Sequence, residues 1–265
     1  MMRATYRFKN NKDYWQERWA KIPADNAMKN TNKYPLKYAE LVIGGDKKGK
    51  ILEAGCGAGR VLRYYHDKGF DITGIDFIHV AVEKLKKADA SLKVEVGDIT
   101  QLQFKEESFK YFLGFGLFHN LQNQLLKKAI KESYRVLEKE GLICASFRAD
   151  NVQNLITDFY DEVNKFDLKK IKSKREFHKL NLTKKEFVTL LVEAGFKVLN
   201  VYPVENMPFF YRFSFFRDKK HRKFNESLGR TEGYRLSNMG QKLQNFVTDY
   251  FPDQSCNIYV IIAKK

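Results

Sequence analysis

Between Lys50 and Phe147 the apolar positions follow two rhythms. The runs KILEAG, DITGID, LKVEVGD, YFLGFGL and GLICASF have the length and β-branched or aromatic content of strands. Between them lie Arg60 to Lys68, Ile78 to Asp89 and Leu125 to Glu140, where helices are expected. In the last of these Leu126, Ile130, Tyr134 and Leu137 recur at three- and four-residue steps and share one face. Gly141 follows in the place of a glycine that ends a helix. Strands alternating with helices predict a parallel sheet joined by crossover helices.

The pattern continues past Arg148. Val152 to Phe166 reads as a helix and Lys169 to Lys179 as a lysine-rich connection. Thr183 and Glu186, three apart before an apolar run, form a capping-box signature for a helix through Glu193, which Gly195 closes. FKVLNVYPV and CNIYVIIAK read as two further strands, the second at the C-terminus. The roughly fifty residues between them, 205–255, are too many for a simple turn. Before Lys50, the residues Tyr14, Trp15, Trp19 and Ile22 predict one apolar face of a short helix.

Charge changes this picture only at the edges. The net +16 divides into +7 for residues 1–50, +1 for 51–150 and +8 for 151–265. The central segment is almost neutral, and the basic flanks suit either solvated lysine-rich faces or an anionic partner such as nucleic acid or a membrane surface. No run approaches the roughly 18 apolar residues of a membrane span, and the N-terminal stretch has no signal-like apolar core. Cys56, Cys144 and Cys256 have no CxxC spacing and read as reduced thiols, so a cytoplasmic protein without a metal site is expected.

The candidate chemistry centres on ILEAGCGAGR, Ile51 to Arg60. A strand that turns tightly into a helix needs positive φ or close backbone approach, and glycine supplies both. The amides exposed there cradle a polar ligand at the carboxyl end of the sheet. A phosphate-binding P-loop is excluded because GxxxxGK followed by Ser or Thr is absent. A dinucleotide fingerprint is disfavoured because Arg60 stands where the third glycine would be.

The acid-x-GxGxG pattern resembles the first motif of the class I, Rossmann-like S-adenosylmethionine-dependent methyltransferases. The resemblance extends to DITGID ending in Asp76, VEVGDI with Asp98, SFKYFLGFGLFHNL, SYRVLEKEGLICASF and LTKKEFVTLLVEAGFKVLNV, in that order over residues 50–201 or so. It implies an α/β fold: a three-layer α/β/α sandwich with a mostly parallel seven-stranded sheet and an antiparallel last strand. The expected division is a helical arm at 1–45, a cofactor-binding core at 46–204, a lid or substrate insertion at 205–255 and a last core strand at 256–265.

The resemblance also implies a cofactor, S-adenosylmethionine, leaving as S-adenosylhomocysteine, and a set of contacts. Glu53, Ala54, Gly55, Cys56, Gly57 and Gly59 form the turn beside the methionine portion. Asp76 and Phe77 meet the ribose and adenine edge, Asp98 and Ile99 the adenine, and Phe115 with Gly116 the wall near the sulfonium. His119 is the one candidate general base; the alternative is a histidine that only shapes the pocket. Two positions depart from the family pattern: Lys110 replaces a common acid, and Asn120 replaces a second His.

Specificity is expected where the chain departs from the common core. Trp15, Trp19 and Tyr34 either close over the cofactor or pack on the sheet rim. Met207 to Glu226 interleaves aromatics with basic residues, Phe209, Tyr211 and Arg212 among them. A lid over a small-molecule pocket is the preferred reading; a lipid contact, a base-stacking surface and an oligomer contact stay open. The expected activity is methyl transfer to a small-molecule acceptor. The alternatives are an RNA methyltransferase using the basic flanks and a cofactor-binding protein without catalysis.

Overall fold

The computed structural model describes residues 2–24, 26–164, 174–224, 228 and 233–265. Seven strands build the central sheet: β2 (Ile51–Ala54), β3 (Ile72–Asp76), β4 (Val94–Val96), β5 (Phe109–Gly114), β6 (Leu137–Arg148), β8 (Lys197–Val204) and β9 (Ile258–Lys264). Their order is β4-β3-β2-β5-β6-β9-β8, and β9 alone runs antiparallel to its neighbours. The expected sheet and its reversed last strand are both present.

Successive residues of β2 serve opposite sides. Ile51 joins a core with Leu36, Tyr65 and Val260, while Leu52 joins one with Phe112, Phe147 and Phe187. Each such fully buried side chain contributes about 1.5–3 kcal/mol. Both faces are covered by helices, which is why the strands read as continuous apolar runs. The covering helices include α2 (Leu36–Ile43), α3 (Arg60–Asp67), α4 (His79–Ala88), α5 (Asn123–Val136), α6 (Val152–Asn164) and α7 (Lys184–Glu193). The Thr183 capping box on α7 is closed in both directions, and Gly195 follows that helix at φ +104°.

Two expectations need correction. The helix read as Leu125–Glu140 stops at Val136, because Leu137 pairs with Phe109 of β5 and Leu142 with Tyr111. Residues 138–141 take up the irregularity between these two pairings. Gly141 is thus no helix cap; a Cβ there would come within 2.8 Å of the Glu138 carbonyl.

The second correction concerns the lysine-rich connection. Its end belongs to β7 (Glu176–Asn181), which pairs antiparallel with β1 (Arg3–Arg7) in a two-stranded sheet. Residues 169–173 of that expectation lie outside the described residues, as do 165–166 of the helix read as Val152 to Phe166. Finally, Lys110 does not leave its neighbourhood without an acid. Asp46 supplies one from outside the motif, accepting from Lys110 Nζ at 2.6 Å and from the Tyr111 hydroxyl at 2.7 Å. These bonds hold the Asp46 carboxyl below its ordinary pKa.

Candidate active site

The turn after β2 is built by glycines in the left-handed region: Gly55 at φ +74°, Gly57 at +52° and Gly59 at +82°. Gly59 is the residue before α3, and a Cβ on it would lie 2.4 Å from Leu85 Cδ2 of α4. Its role is close packing, and neither it nor Ala54 lines the cavity that opens above the turn. That cavity, of about 1450 Å³, is lined by Glu53, Gly55, Cys56 and Gly57 from the turn. Asp76, Phe77, Asp98, Ile99, Phe115 and Gly116 join them from the ends of the next strands.

Three carboxylates stand differently here. Asp76 is buried and accepts the Gly57 amide at 2.9 Å and the Ile78 amide at 2.9 Å. Burial raises its pKa against these bonds. Glu53 is also buried, and its Oε2 has no hydrogen-bond partner among the described residues. Burial pushes its pKa up to about 8, with the nearby Asp76 charge adding to the rise. Asp98 is exposed, and its Oδ1 accepts the Thr100 amide and hydroxyl, both at 2.8 Å.

The N-terminal arm covers the turn. Helix α1 (Asn11–Lys21) starts at Asn10, whose side chain accepts the Asp13 amide, and stacks Trp15 on Trp19 with centroids 5.7 Å apart. Both indoles line the cavity. The far end of α1 is held by Lys84 of α4, whose Nζ donates to the carbonyls of Trp19 (2.8 Å), Ala20 (2.6 Å) and Ile22 (2.9 Å). A cation at a helix C-terminus satisfies carbonyls that the helix itself leaves open. The near end is held by Asn11, whose Nδ2 donates to the carbonyls of Asn120 and His178, each at 3.0 Å.

Tyr34 lines the cavity, stands edge-on to Phe115 at 5.7 Å and shares a 2.9 Å hydrogen bond with Ser146 Oγ. The same Ser146 oxygen accepts the Gly116 amide at 2.9 Å, tying the arm to the wall behind β5. Burial pushes the Tyr34 hydroxyl up to about 12.

His119 lies in the 3-10 turn Phe118–Asn120. Asn120, beside it, lines the cavity; His119 is not among the lining residues. Burial, then the charges of Arg148 and Lys179, hold its pKa well below the ordinary value. This imidazole is a weaker base than its position in the sequence suggests. The segment after β8 reaches the cavity through Glu205, Asn206, Pro208, Gly233 and Tyr234. Phe209, Tyr211 and Arg212 stand behind that edge. Tyr211 is buried against Tyr234 and His221, Phe209 packs on Phe210 and Phe213, and Arg212 turns to Asp161 of α6 at 2.5 Å. Lys84, Asn11 and Ser146 are the positioning residues that sequence reasoning missed. Only their partners' coordinates reveal them.

Residues 51–141 match the family described as "Methyltransferase domain". Residues 51–141 thus belong to a methyltransferase domain, and the fold around them is that of the class I S-adenosylmethionine-dependent methyltransferases. A SAM-dependent methyltransferase from Methanosarcina mazei shares this fold at a TM-score of 0.57 and 18% identity, over 88% of this chain and 98% of that one. The malonyl-acyl-carrier-protein O-methyltransferase of Salmonella typhimurium is 27% identical over 38% of this chain and 40% of its own length. The eEF1A lysine and N-terminal methyltransferase of Bos taurus is 27% identical over 36% of this chain and 14% of its own. The chain therefore spans less than half the length of either curated relative. The matched stretch of the methyltransferase domain ends before β7, the segment after β8 and β9, and begins after the arm.

Proposed function

We propose that this chain is an enzyme that binds S-adenosylmethionine above Gly55–Gly59 and transfers its methyl group to a small-molecule acceptor. One observation carries the reading: Glu53, Gly55, Gly57, Asp76, Asp98 and Phe115 come from the ends of four different strands and line a single cavity. The residues present fit the cofactor. The orphaned buried Glu53 Oε2 would accept from a donor or face a cation. Glu53 would face the amino-acid portion and Asp76 the ribose hydroxyls, through charge-assisted bonds of about 1.5–3 kcal/mol each.

Bound there, the cofactor supplies a methyl group on a cationic sulfur, open to in-line attack. The chain's part is to orient and to exclude water. Trp15 and Trp19 roof the turn, and Tyr34 and Phe115 present aromatic surface, which favours a nearby cation by about 0.5–2 kcal/mol. No proton acceptor is needed for an acceptor that is already a nucleophile, and His119 is given no such role.

The two curated relatives act, by their names, on very different acceptors, so neither supplies this one's identity. A specific feature favours a second reading: Lys12, Lys29, Lys33 and Lys37 line the cavity, which would suit an RNA acceptor. RNA affinity would then fall steeply with salt.

Calorimetry with S-adenosylmethionine and S-adenosylhomocysteine tests the first reading. Both bind the wild type, and Asp76→Ala weakens both at least tenfold. Absence of uptake, or uptake indifferent to Asp76→Ala, overturns it. Tight uptake with no turnover over a broad acceptor panel would favour a cofactor-binding protein without catalysis.

A further inference from the structure

The cavity extends beyond the residues that cofactor binding uses. Glu53, Asp76 and Asp98 stand at or just past the ends of β2, β3 and β4, to one side of Phe115 and Gly116 after β5. On the other side β8 closes the sheet, and Val204, Glu205 and Asn206 at its end line the same cavity. β8 runs parallel to β6, since both are antiparallel to β9, so it ends at the edge that carries the glycine turn. The end of β8 is therefore the part of the cavity left for the acceptor.

Glu205 is not a loose surface side chain. Its Oε2 accepts from Gln244 Nε2 at 2.5 Å and from Thr248 Oγ1 at 3.0 Å, both on the helix Asn238–Tyr250. Gln244 is 1% exposed, and its Oε1 accepts the Phe210 amide at 3.2 Å. With that oxygen committed to the backbone, the Nε2 hydrogens face the carboxylate. Asn206 is pinned likewise: its amide donates at 2.8 Å to Oδ1 of Asn257, itself buried. Two buried amide side chains thus fix the two polar residues at this end of the cavity. Holding a glutamate in one rotamer costs side-chain entropy, which solvation alone would not require.

The clamp leaves one oxygen open. No hydrogen bond or ion pair engages Glu205 Oε1 among the described residues, although Lys29, Lys33 and Lys37 line the same cavity. A carboxylate has acceptor capacity only, so what it receives must donate. A run of rings connects Phe115 to β8: Tyr34 stands 5.7 Å from Phe115 and 6.5 Å from Tyr38, and Tyr38 stands 5.4 Å from Tyr202. Tyr34, Tyr38 and Phe115 line the cavity, and Lys37 Nζ lies 5.7 Å from the centre of the Tyr38 ring, so this wall already accommodates an ammonium group. Ring faces beside a fixed carboxylate favour a cation over a neutral donor.

We propose that Glu205, clamped by Gln244, receives the ammonium group of the acceptor, and that the acceptor is a small molecule carrying a primary amine. The inference rests on the methyl-transfer reading and narrows it to a substrate class. It also gives the segment after β8 a task, since Gln244 supplies the clamp as a positioning residue.

The test titrates hexylamine, benzylamine and tyramine, each against the alcohol of the same skeleton, into the full chain by calorimetry, with and without saturating S-adenosylhomocysteine. At least one amine is expected to bind tenfold or more tightly than its alcohol. Glu205→Gln should remove that preference and Glu205→Asp keep part of it. Gln244→Leu should reduce it as well, whereas a merely structural loss would weaken amine and alcohol alike. Equal binding of amine and alcohol, no amine binding in the wild type, or a preference that survives Glu205→Gln would overturn the proposal. Tighter binding of methyl phosphate than of every amine would overturn it too, in favour of an anionic acceptor met by the cavity's lysines. The wild-type comparison needs no variant to fold. Since S-adenosylhomocysteine uptake is read separately, its failure sinks the methyl-transfer reading and not the amine site.

Discussion

Trp19 stands directly over Gly57: a Cβ built on that glycine would lie 2.7 Å from the indole Cζ2. The arm and the glycine turn are thus fitted to each other before any ligand arrives. Gly57→Ala is expected to destabilise the protein by about 1–2 kcal/mol from its φ of +52° alone. Displacement of Trp19 adds to this, and affinity for the nucleoside should fall at least tenfold. Thermal melts and calorimetry check both effects, and an unchanged affinity would mean that the roof is not part of the site.

Glu53 makes ligand binding pH-dependent. With its pKa at about 8 it carries a proton near neutrality in the free protein. A cationic ligand favours the carboxylate and drives the proton off. Between pH 6 and 8, S-adenosylmethionine should bind more tightly as pH rises, with proton release visible as a buffer-dependent calorimetric enthalpy. Glu53→Gln should abolish that dependence.

The same residue sets the sign of a stability effect. Its folded pKa lies above its ordinary 4.5, so the folded state holds a proton that the unfolded state has lost. Stability of the free protein therefore declines as pH rises from about 4.5 to about 8, by up to about 5 kcal/mol from this group. Glu53→Gln should flatten that slope in denaturant titrations taken across the interval.

Lys84 should act on the arm and not on the sheet. Lys84→Met leaves the carbonyls of Trp19, Ala20 and Ile22 without their shared donor, at a cost of about 1 kcal/mol. Amide hydrogen exchange over residues 11–22 is expected to quicken while β2, β5 and β6 keep their protection. Uniform quickening would show that the contact supports the whole fold instead.

Ser146 joins two walls through one oxygen. Ser146→Ala leaves the Gly116 amide and the Tyr34 hydroxyl without their partner, at about 1–3 kcal/mol. A double-mutant cycle with Tyr34→Phe should show coupling, since each change removes the same bond. Additive effects would mean that the two groups find other partners.

What could be read from the sequence depends on how narrowly physics constrains each position. The turn at Gly55–Gly59 was legible because few residues tolerate its backbone angles. The capping box was legible because its two partners are three residues apart. By contrast, Leu137 continues the spacing of Ile130 and Tyr134 and so resembles a helical residue, while its actual partner, Phe109, is remote in the chain. EFHKLN was hidden by lysines around it and by a partner strand, β1, that is remote in the chain. His119 was legible as a polar residue near the site, but the cations that govern it come from β6 and β7. The aromatic and basic content after Met207 marked an insertion without saying which side chains turn inward; Tyr234 does, and Tyr211 packs behind it.

The pairing of β1 with β7 has an engineering meaning. The two extensions that flank the methyltransferase domain in sequence hold each other in space, and Asn11 bonds to the His178 carbonyl from the start of the roof. Transplanting the first forty residues onto a related scaffold would move a roof without its hinge post, unless residues 176–182 travelled with them.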